Sequence, residues 1–462
     1  MADKLPYEEL KETLAENKQT LEKAFQYTND LQLQMMTLQQ KKALVCSLET
    51  MADEQKMGQQ LTAIEAGISL SDMSEKVTTI QEIVEAMLLG NTVILLEEKQ
   101  EGIVLQTVQE HERTPDEPEN ERVVQGAHNG FIENLDINVH LIRRCLQQEN
   151  LHVTYKSVGK QNENNVAIVY LKGEANEETI QYIEDQLEGM QEKKVTVIGE
   201  LVNYLLRHVK TIFPKKLYTE RPDRTTAYLT EGKIAILMDN SAIACIVPIS
   251  FFAFFHSPDD FNGQVYDGIL FRFIRLASFF GALIFPATYI AIITFHFEII
   301  PFEMVTLVKN SIETVPFPPF FEAFIMIVTI ELIREAGIRL PSPIGQTIGI
   351  VGGIIIGEAV VTAGLVSNVV VIVIALTAIM SFTISSYEMG NILRILSFPI
   401  MVAASLFGFV GIVASTLIIL FHLCKVKVLD TPYFYPLAPF DFASIKRTLF
   451  RFHTETMDVK KK

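Results

Sequence analysis

The chain reads as an α+β/membrane protein, with an N-terminal cytosolic α/β region of two subdomains followed by a polytopic α-helical membrane domain. Three observations predict this. The net charge of -16 on 462 residues is carried by the first part of the chain, because the stretch from Leu276 to Cys424 and the tail after it cancel. Strand-like and helix-like patterns alternate through the first 230 or so residues. Beyond them lie uncharged apolar runs of 18 or more residues, the length a helix needs to cross about 30 Å of hydrocarbon.

In order along the chain, MADKLPYEELKETLAENKQ has no basic region followed by an apolar core, so no cleaved signal peptide is expected and the first part stays cytosolic. Leu5 to about Leu38 is expected as one helix, with Leu10, Leu14, Leu21 and Phe25 at helical spacing. Strands are expected at ALVCSL, TVILLEE, GIVLQTV, LHVTYKSV and NVAIVYLK, and helices at DEQKMGQQLTAIEAG, GFIENLDINVHLIRRCLQ, EETIQYIEDQLEGMQ and GELVNYLLRHVK. The polar break TPDEPENE at Thr114 to Glu121 divides the two lobes. Lys233 to Pro248 is expected as a β-hairpin turning at Asp239 and Asn240, and Phe251 to Phe261 as an interfacial or docking segment. The expected organisation is residues 1–119 and 120–260 for the two subdomains, 261–424 for the membrane domain and 425–462 for a basic cytosolic tail.

Leu276 to Phe295 is the first expected span, oriented with its N-terminus inward by Arg272 and Arg275. The loop that follows is poor in positive charge. Phe320 to Ile338 carries Glu322, Glu331, Arg334 and Glu335 on an otherwise apolar helix, so lipid cannot surround it. Ile344 to Gly364, Val369 to Ile384 and Ile395 to Cys424 are the remaining candidates, the last bent at Pro399 or tilted. Cytosolic ends require an even number of crossings. The expectation is therefore about four spans plus one buried, re-entrant or interfacial helix, with Phe320 to Ile338 the weakest span.

Gly345, Gly349, Gly353 and Gly357 recur every fourth residue and make a side-chain-free stripe on one helix face. Between apolar helices in lipid, close backbone approach is what such a stripe permits. It serves packing within one subunit, contact between subunits, or a helix that slides. Glu358 follows directly in apolar chain; a carboxylate there is a functional candidate, or is solvated near the membrane surface. Glu331 either pairs with Arg334 three residues on or faces a water-filled cavity as part of an acidic ring favouring cations. Thr362, Ser367, Asn368, Thr377 and Ser381 offer milder polar groups, either for a pore wall or for ordinary helix-to-helix hydrogen bonds.

No catalytic constellation is evident. The nine histidines form no HExxH, and there is no phosphate-binding loop or nucleotide fingerprint, so no cofactor is expected and an ATP-driven pump is disfavoured. The four cysteines show no paired spacing, which argues against a metal site or disulfide framework, and the acidic soluble part argues against nucleic acid.

Four separated blocks carry a family resemblance: VVQGAHNGFIENLDINVHLIRR, TERPDRTTAYLTEGKIAILMDNS, the long stretch from Val315 to Ser367, and PYFYPLAPF. Together they run from about Val123 to Phe440 and resemble the A subunits of GerA-type spore germinant receptors. The related stage V sporulation protein AF type has the same architecture and stays open as an alternative. Many members read GPRE or GSRD where Ala127, His128 and Asn129 stand here. The resemblance implies an integral protein of the spore inner membrane that works with a transporter-like B subunit and a lipoprotein C subunit. It further implies a homo-oligomeric ring, put at five subunits, that opens as a nutrient-gated channel for monovalent cations. Val315 to Ser367 would then line or flank the pore. An ion-coupled secondary transporter is a second class, disfavoured because the candidate spans show no obvious internal repeat, and a non-conducting scaffold for a separate receptor is a third.

Overall fold

A computed structural model describes residues 9–39, 41–66, 76–97, 99–108, 118, 120–121, 123, 126–159, 164–190, 195–340, 344–345, 349–350, 352–353 and 357–450. Two compact units divide the chain. The first comprises Met1–Val209, Lys215–Ile249 and Val428–Asp430; the second comprises Lys210–Pro214, Ser250–Lys427 and Thr431–Lys462.

The first unit holds two antiparallel sheets. In lobe 1, α1 (Leu14–Ala24) leads to β1 (Leu31–Leu38) and β2 (Lys41–Leu48), followed by α2 (Glu54–Glu65), β3 (Lys76–Val77), α3 (Ile80–Leu88), β4 (Thr92–Leu96) and β5 (Gly102–Leu105). The strand order is β1-β2-β4-β5-β3. Alternation along β2 sends Leu44, Cys46 and Leu48 to one face, against Leu14, Leu21 and Phe25 of the α1 region and Ile83 and Met87 of α3. Ala43 and Val45 go to the other, with Ile64 of α2. Both faces are covered, so the central strands read as continuous apolar runs.

In lobe 2, α4 (Leu135–Cys145), β6 (Leu151–Val158), β7 (Asn164–Leu171), α5 (Glu177–Glu188), α6 (Ile198–Leu205), β8 (Leu217–Thr219), α7 (Pro222–Thr230), β9 (Ile234–Met238) and β10 (Ala244–Val247) give the order β6-β7-β9-β10-β8. This is the order of lobe 1 again, with the same register. Leu31 faces Leu48 as Leu151 faces Leu171, and Cys46 faces Val93 as Val169 faces Ala235. The details repeat as well. Asn17 in α1 exchanges two hydrogen bonds with the backbone of Lys11, and Asn138 in α4 does so with Ile132. Gly90 and Gly232 both close the turn after a nine-residue helix at positive φ, and a Cβ on either would meet a carbonyl oxygen three residues past the second strand, Met51 at 2.9 Å or Glu174 at 2.5 Å. The first unit is thus one fold used twice.

The lobes are held by a buried ion pair. Arg143 donates through Nε and Nη2 to the two oxygens of Asp30 at 2.5 and 2.6 Å, with Thr28 and Thr50 also bonded to that carboxylate. Burial alone would raise the Asp30 carboxyl, but the Arg143 charge and these hydrogen bonds hold it below the usual carboxylate range. His140 Nδ1 meets the Thr50 carbonyl at 2.9 Å, and the edge strand β6 receives the Asn29 N–H at the Val153 carbonyl.

Three local expectations need correction. Leu5 to Leu38 is not one helix: α1 stops at Ala24, Gln26 and Tyr27 turn the chain at positive φ, and β1 pairs with β2 along its length. Leu31 and Leu33 suit either period, and pairing decides. The hairpin of β9 and β10 is present, but Asp239 to Ile243 connect it rather than a two-residue turn, because the Asp239 and Asn240 N–H groups are drawn to the carbonyls of Asn165 and Glu133. The Phe251–Phe255 segment is a buried 3₁₀ turn in the second unit, where Phe251 packs edge-on to Phe279 and against Tyr433 and Phe434. Aromatic burial, not surface docking, explains its composition.

The second unit continues with α8 (Asp259–Asn262), α9 (Val265–Phe295), α10 (Phe302–Glu313), α11 (Pro319–Arg339), α12 (Gly357–Thr362), α13 (Asn368–Phe382), α14 (Tyr387–Phe407), α15 (Phe409–Lys425) and α16 (Phe442–Phe450). Of these, α9 and α14 are long and apolar enough to cross a membrane, and α13 and α15 are shorter apolar helices. Ile395 to Cys424 is not a single helix. Pro399 lies within α14 without ending it, and the break falls at Gly408, whose φ of 59° is open to glycine. The expected helix from Ile344 to Gly364 lies partly outside the described residues.

Replacing Gly232 by Ala is expected to cost about 1–3 kcal/mol for φ strain and the carbonyl contact, and Gly90→Ala somewhat less because its contact is longer; urea unfolding followed by circular dichroism measures both. Burial drops the His152 imidazole from 6.5 to about 4, aided by the Lys172 and Arg143 charges and opposed by Asp30. The unfolded chain therefore takes up a proton that the native chain refuses, and stability falls as pH drops from 6.5 towards 4. His152→Phe is expected to flatten that slope by on the order of 1–3 kcal/mol, read as the pH dependence of the urea midpoint.

Candidate functional site

Four helices of the second unit line a partly open cavity. Its walls come from Ala282 of α9, Ile327, Ile330 and Glu331 of α11, Thr377, Ala378 and Ser381 of α13, and Leu393, Arg394 and Ser397 of α14. Small residues let these helices approach: a Cβ on Gly281 would meet Met380 Sδ at 2.6 Å. The hydroxyls of Thr377, Ser381 and Ser397 donate to the carbonyls of Val373, Ala378 and Arg394 at 2.8 Å, a choice that leaves each oxygen able to accept.

Glu331 is the carboxylate of this cavity, and it is doubly paired. Arg334, one turn along α11, donates through Nη2 at 2.6 Å and Nε at 3.0 Å, and Arg394 of α14 lies at 3.2 Å. Both alternatives raised by the sequence are thereby refined. The intrahelical pair forms, and a second guanidinium from another helix joins it. One negative and two positive groups leave the cluster cationic, so Glu331 does not present a free negative charge in the single chain. Arg394 is the residue sequence reasoning passed over. Its signal was a lone basic residue in an apolar run, which asks for an acidic partner on another helix.

Of the other candidates, Thr377 and Ser381 line the cavity and Ser367 caps α13, while the remaining three are dispersed. Glu358 and Thr362 are exposed on α12, and Asn368 is exposed at the start of α13, where its N–H donates to Ser311 Oγ. None of these three lines the cavity. A carboxylate that the sequence did not single out, Glu322, is fully enclosed near the start of α11; its Oε2 accepts the Ser367 N–H at 2.7 Å, and Ser367 Oγ lies 3.2 Å from the Tyr289 hydroxyl. A helix needs its first N–H groups satisfied, and Glu322 with Ser367 does this for α13. Arg272 and Arg275, read as topology signals, both bind Asp260 and are mostly buried.

The glycine stripe divides. A Cβ on Gly345 would meet the Gly337 carbonyl oxygen of α11 at 2.8 Å, so packing within the chain occupies that position. Gly349, Gly353 and Gly357 face open space.

The described residues thus give an α/β unit of two like lobes and a helical unit with an ion-paired cavity. The comparisons supply the class. The profile of the Bacillus/Clostridium GerA spore germination proteins matches residues 9–462, and the chain belongs to that family. It is 36% identical to spore germination protein GerLA of Bacillus cereus over 84% of this chain and 79% of that one. To spore germination protein A1 of Bacillus subtilis (strain 168) it is 34% identical over 86% and 84%. The N-terminal domain of the A subunit of the Bacillus megaterium spore germinant receptor GerK3 aligns at 17% identity and a TM-score of 0.40, covering 54% of this chain and 99% of that one.

Glu331→Gln is expected to weaken both guanidinium contacts and lower stability by about 3–5 kcal/mol, because Arg394 then lies largely buried without its charge partner; thermal unfolding in detergent measures it. Glu358→Gln, at an exposed site, is expected to leave the unfolding temperature unchanged in the same assay.

Proposed function

We propose that this chain is the A subunit of a spore germinant receptor, sitting in the spore inner membrane with its soluble lobes in the cytosol and forming, as a homo-oligomer, a nutrient-gated channel for monovalent cations. The observation that carries the reading is the pairing of open stripe and exposed carboxylate on one apolar segment: Gly349, Gly353 and Gly357 meet nothing within reach of a Cβ, and Glu358 and Thr362 are exposed beside them. A bare helix face gains from close contact with another helix, and a carboxylate amid apolar chain needs water or a partner. A ring of subunits, with five as the expected number, satisfies both by turning the stripes to one another and the carboxylates to a wet path.

In this reading Glu358, Thr362 and Asn368 line or flank the path. Glu331 acts differently from the acidic ring expected of it: with Arg334 and Arg394 it ties α11 to α14, so that movement of one helix carries the other. Partners are the B and C subunits of the receptor and membrane lipid, and the germination proteins of the relatives' names support the assignment.

A second reading, an ion-coupled transporter, draws on the partly open cavity with its charged cluster and hydroxyls able to accept. Flux into liposomes separates the two. Full-length protein is expected to give K⁺ flux that needs no co-substrate, with Glu358→Gln lowering cation over anion selectivity several-fold. Gly353→Leu is expected to abolish the flux together with the oligomer seen by light scattering in detergent. Saturable flux coupled to a substrate, or a conducting Gly353→Leu variant, overturns the channel reading.

A further inference from the structure

The repeat in the soluble unit has an unmatched end. Inside one chain, the Thr28–Asp30 turn of lobe 1 covers the free edge of β6 in lobe 2. The Asn29 N–H donates to the Val153 carbonyl at 3.1 Å, the Val153 N–H donates to Thr28 Oγ1 at 3.1 Å, and the Asp30 carboxylate takes Arg143 of α4. The covered strand is buried over its first four residues.

Each partner in that contact has a counterpart in the other lobe. Gln148, Glu149 and Asn150 stand where Thr28, Asn29 and Asp30 stand. The Leu151 N–H donates to the Gln148 carbonyl as that of Leu31 does to Thr28, and the Lys172 N–H donates to Asn150 as that of Glu49 does to Asp30. Leu33 takes the place of Val153 by strand register, and Glu22, two residues before the end of α1, takes that of Arg143 in α4. Among the described residues this second set does not make the counterpart contact: the Asn150 amide reaches the Lys172 carbonyl of its own lobe at 3.4 Å, and Glu22 lies 3.9 Å from Lys18 on the same helix. β1 lies at the end of its sheet, Gln34 and Met35 are exposed, and the strand LQLQMMTL carries no charge to repel a neighbour. Such an edge is a template for association.

We propose that the Gln148–Asn150 turn of one copy caps the β1 edge of the next, repeating between chains the contact that joins the lobes within a chain. This rests on the ring proposed above. The Glu149 N–H would meet the Leu33 carbonyl of the second copy, the Gln148 side-chain oxygen its N–H, and the Asn150 amide its Glu22 carboxylate. The chemistry is compatible at every position. It is also weaker than in the chain, since an amide replaces one member of a buried ion pair, as suits a contact made between separate subunits. A contact that joins unlike patches head to tail closes into a ring when its rotation allows, and copies held in one membrane share the orientation a ring requires.

The test uses the full chain in membranes, with exposed Cys145 and Cys424 changed to Ser. Two tagged versions are co-expressed, one with Glu22→Cys and one with Asn150→Cys, and oxidised with copper phenanthroline. Mixed disulfide dimers are expected ~10-fold above those from Asn150→Cys with a control Glu85→Cys on α3, reflecting the raised local concentration of a specific contact. Adding Met35→Lys on the exposed edge is expected to remove that excess while leaving the circular dichroism melt unchanged. Light scattering in detergent reads the assembly separately. An intact oligomer without the mixed dimer overturns this contact and leaves the ring standing; a chain that is monomeric throughout overturns both.

Discussion

Buried charge must be neutralised where it sits, and much of this protein is organised by that requirement. Asp30 and Arg143 are almost wholly enclosed, and neither could lose the other without leaving an ion stranded away from water. Because one comes from the turn before β1 and the other from α4, their pairing fixes one lobe to the other. The helical unit repeats the device with an extra arginine each time. Asp260 holds Arg272 and Arg275, and Glu331 holds Arg334 and Arg394. Asp260 gathers two arginines from one turn of α9, and Glu331 gathers one from its own helix and one from α14.

The duplicated lobes show how far a backbone plan outlasts the side chains that first built it. The asparagine that latches the start of α1 and α4 is kept in both copies, and so is the glycine after α3 and α7. Both serve backbone geometry that few other residues satisfy: a side chain that donates and accepts at once, and a left-handed turn beneath a carbonyl. Positions at the contact between the lobes differ instead. Thr28 answers to Gln148, and Arg143 to Glu22.

The helical unit sets a different balance. Its apolar helices leave much surface exposed, many of its polar groups are drawn inward to caps and ion pairs, and Glu358 stays exposed. A receptor subunit that conducts would need this combination of a firm interior and an unfinished face, and the family to which the chain belongs agrees with a role in spore germination.

Much of this was legible in the amino-acid sequence, and the limits have physical causes. Strands β2, β4, β5, β6 and β7 were readable because double-sided burial demands unbroken apolar runs, and α2, α4, α5 and α6 because a one-sided helix must repeat near 3.6 residues. The charge split and the apolar run lengths announced the helical part, and four blocks of residues announced the family. The sequence could also name Glu331 and Arg334 as an i, i+3 pair. Only the tertiary structure decided that β1 is a strand, since its residues fit two periods and pairing with β2 chose one. It alone brought Arg394 to Glu331, put Glu322 rather than Glu358 in the interior, broke the last apolar run at Gly408 and made the two lobes one fold. Those outcomes depend on groups far apart in the chain meeting in space, and local spacing carries no record of such meetings.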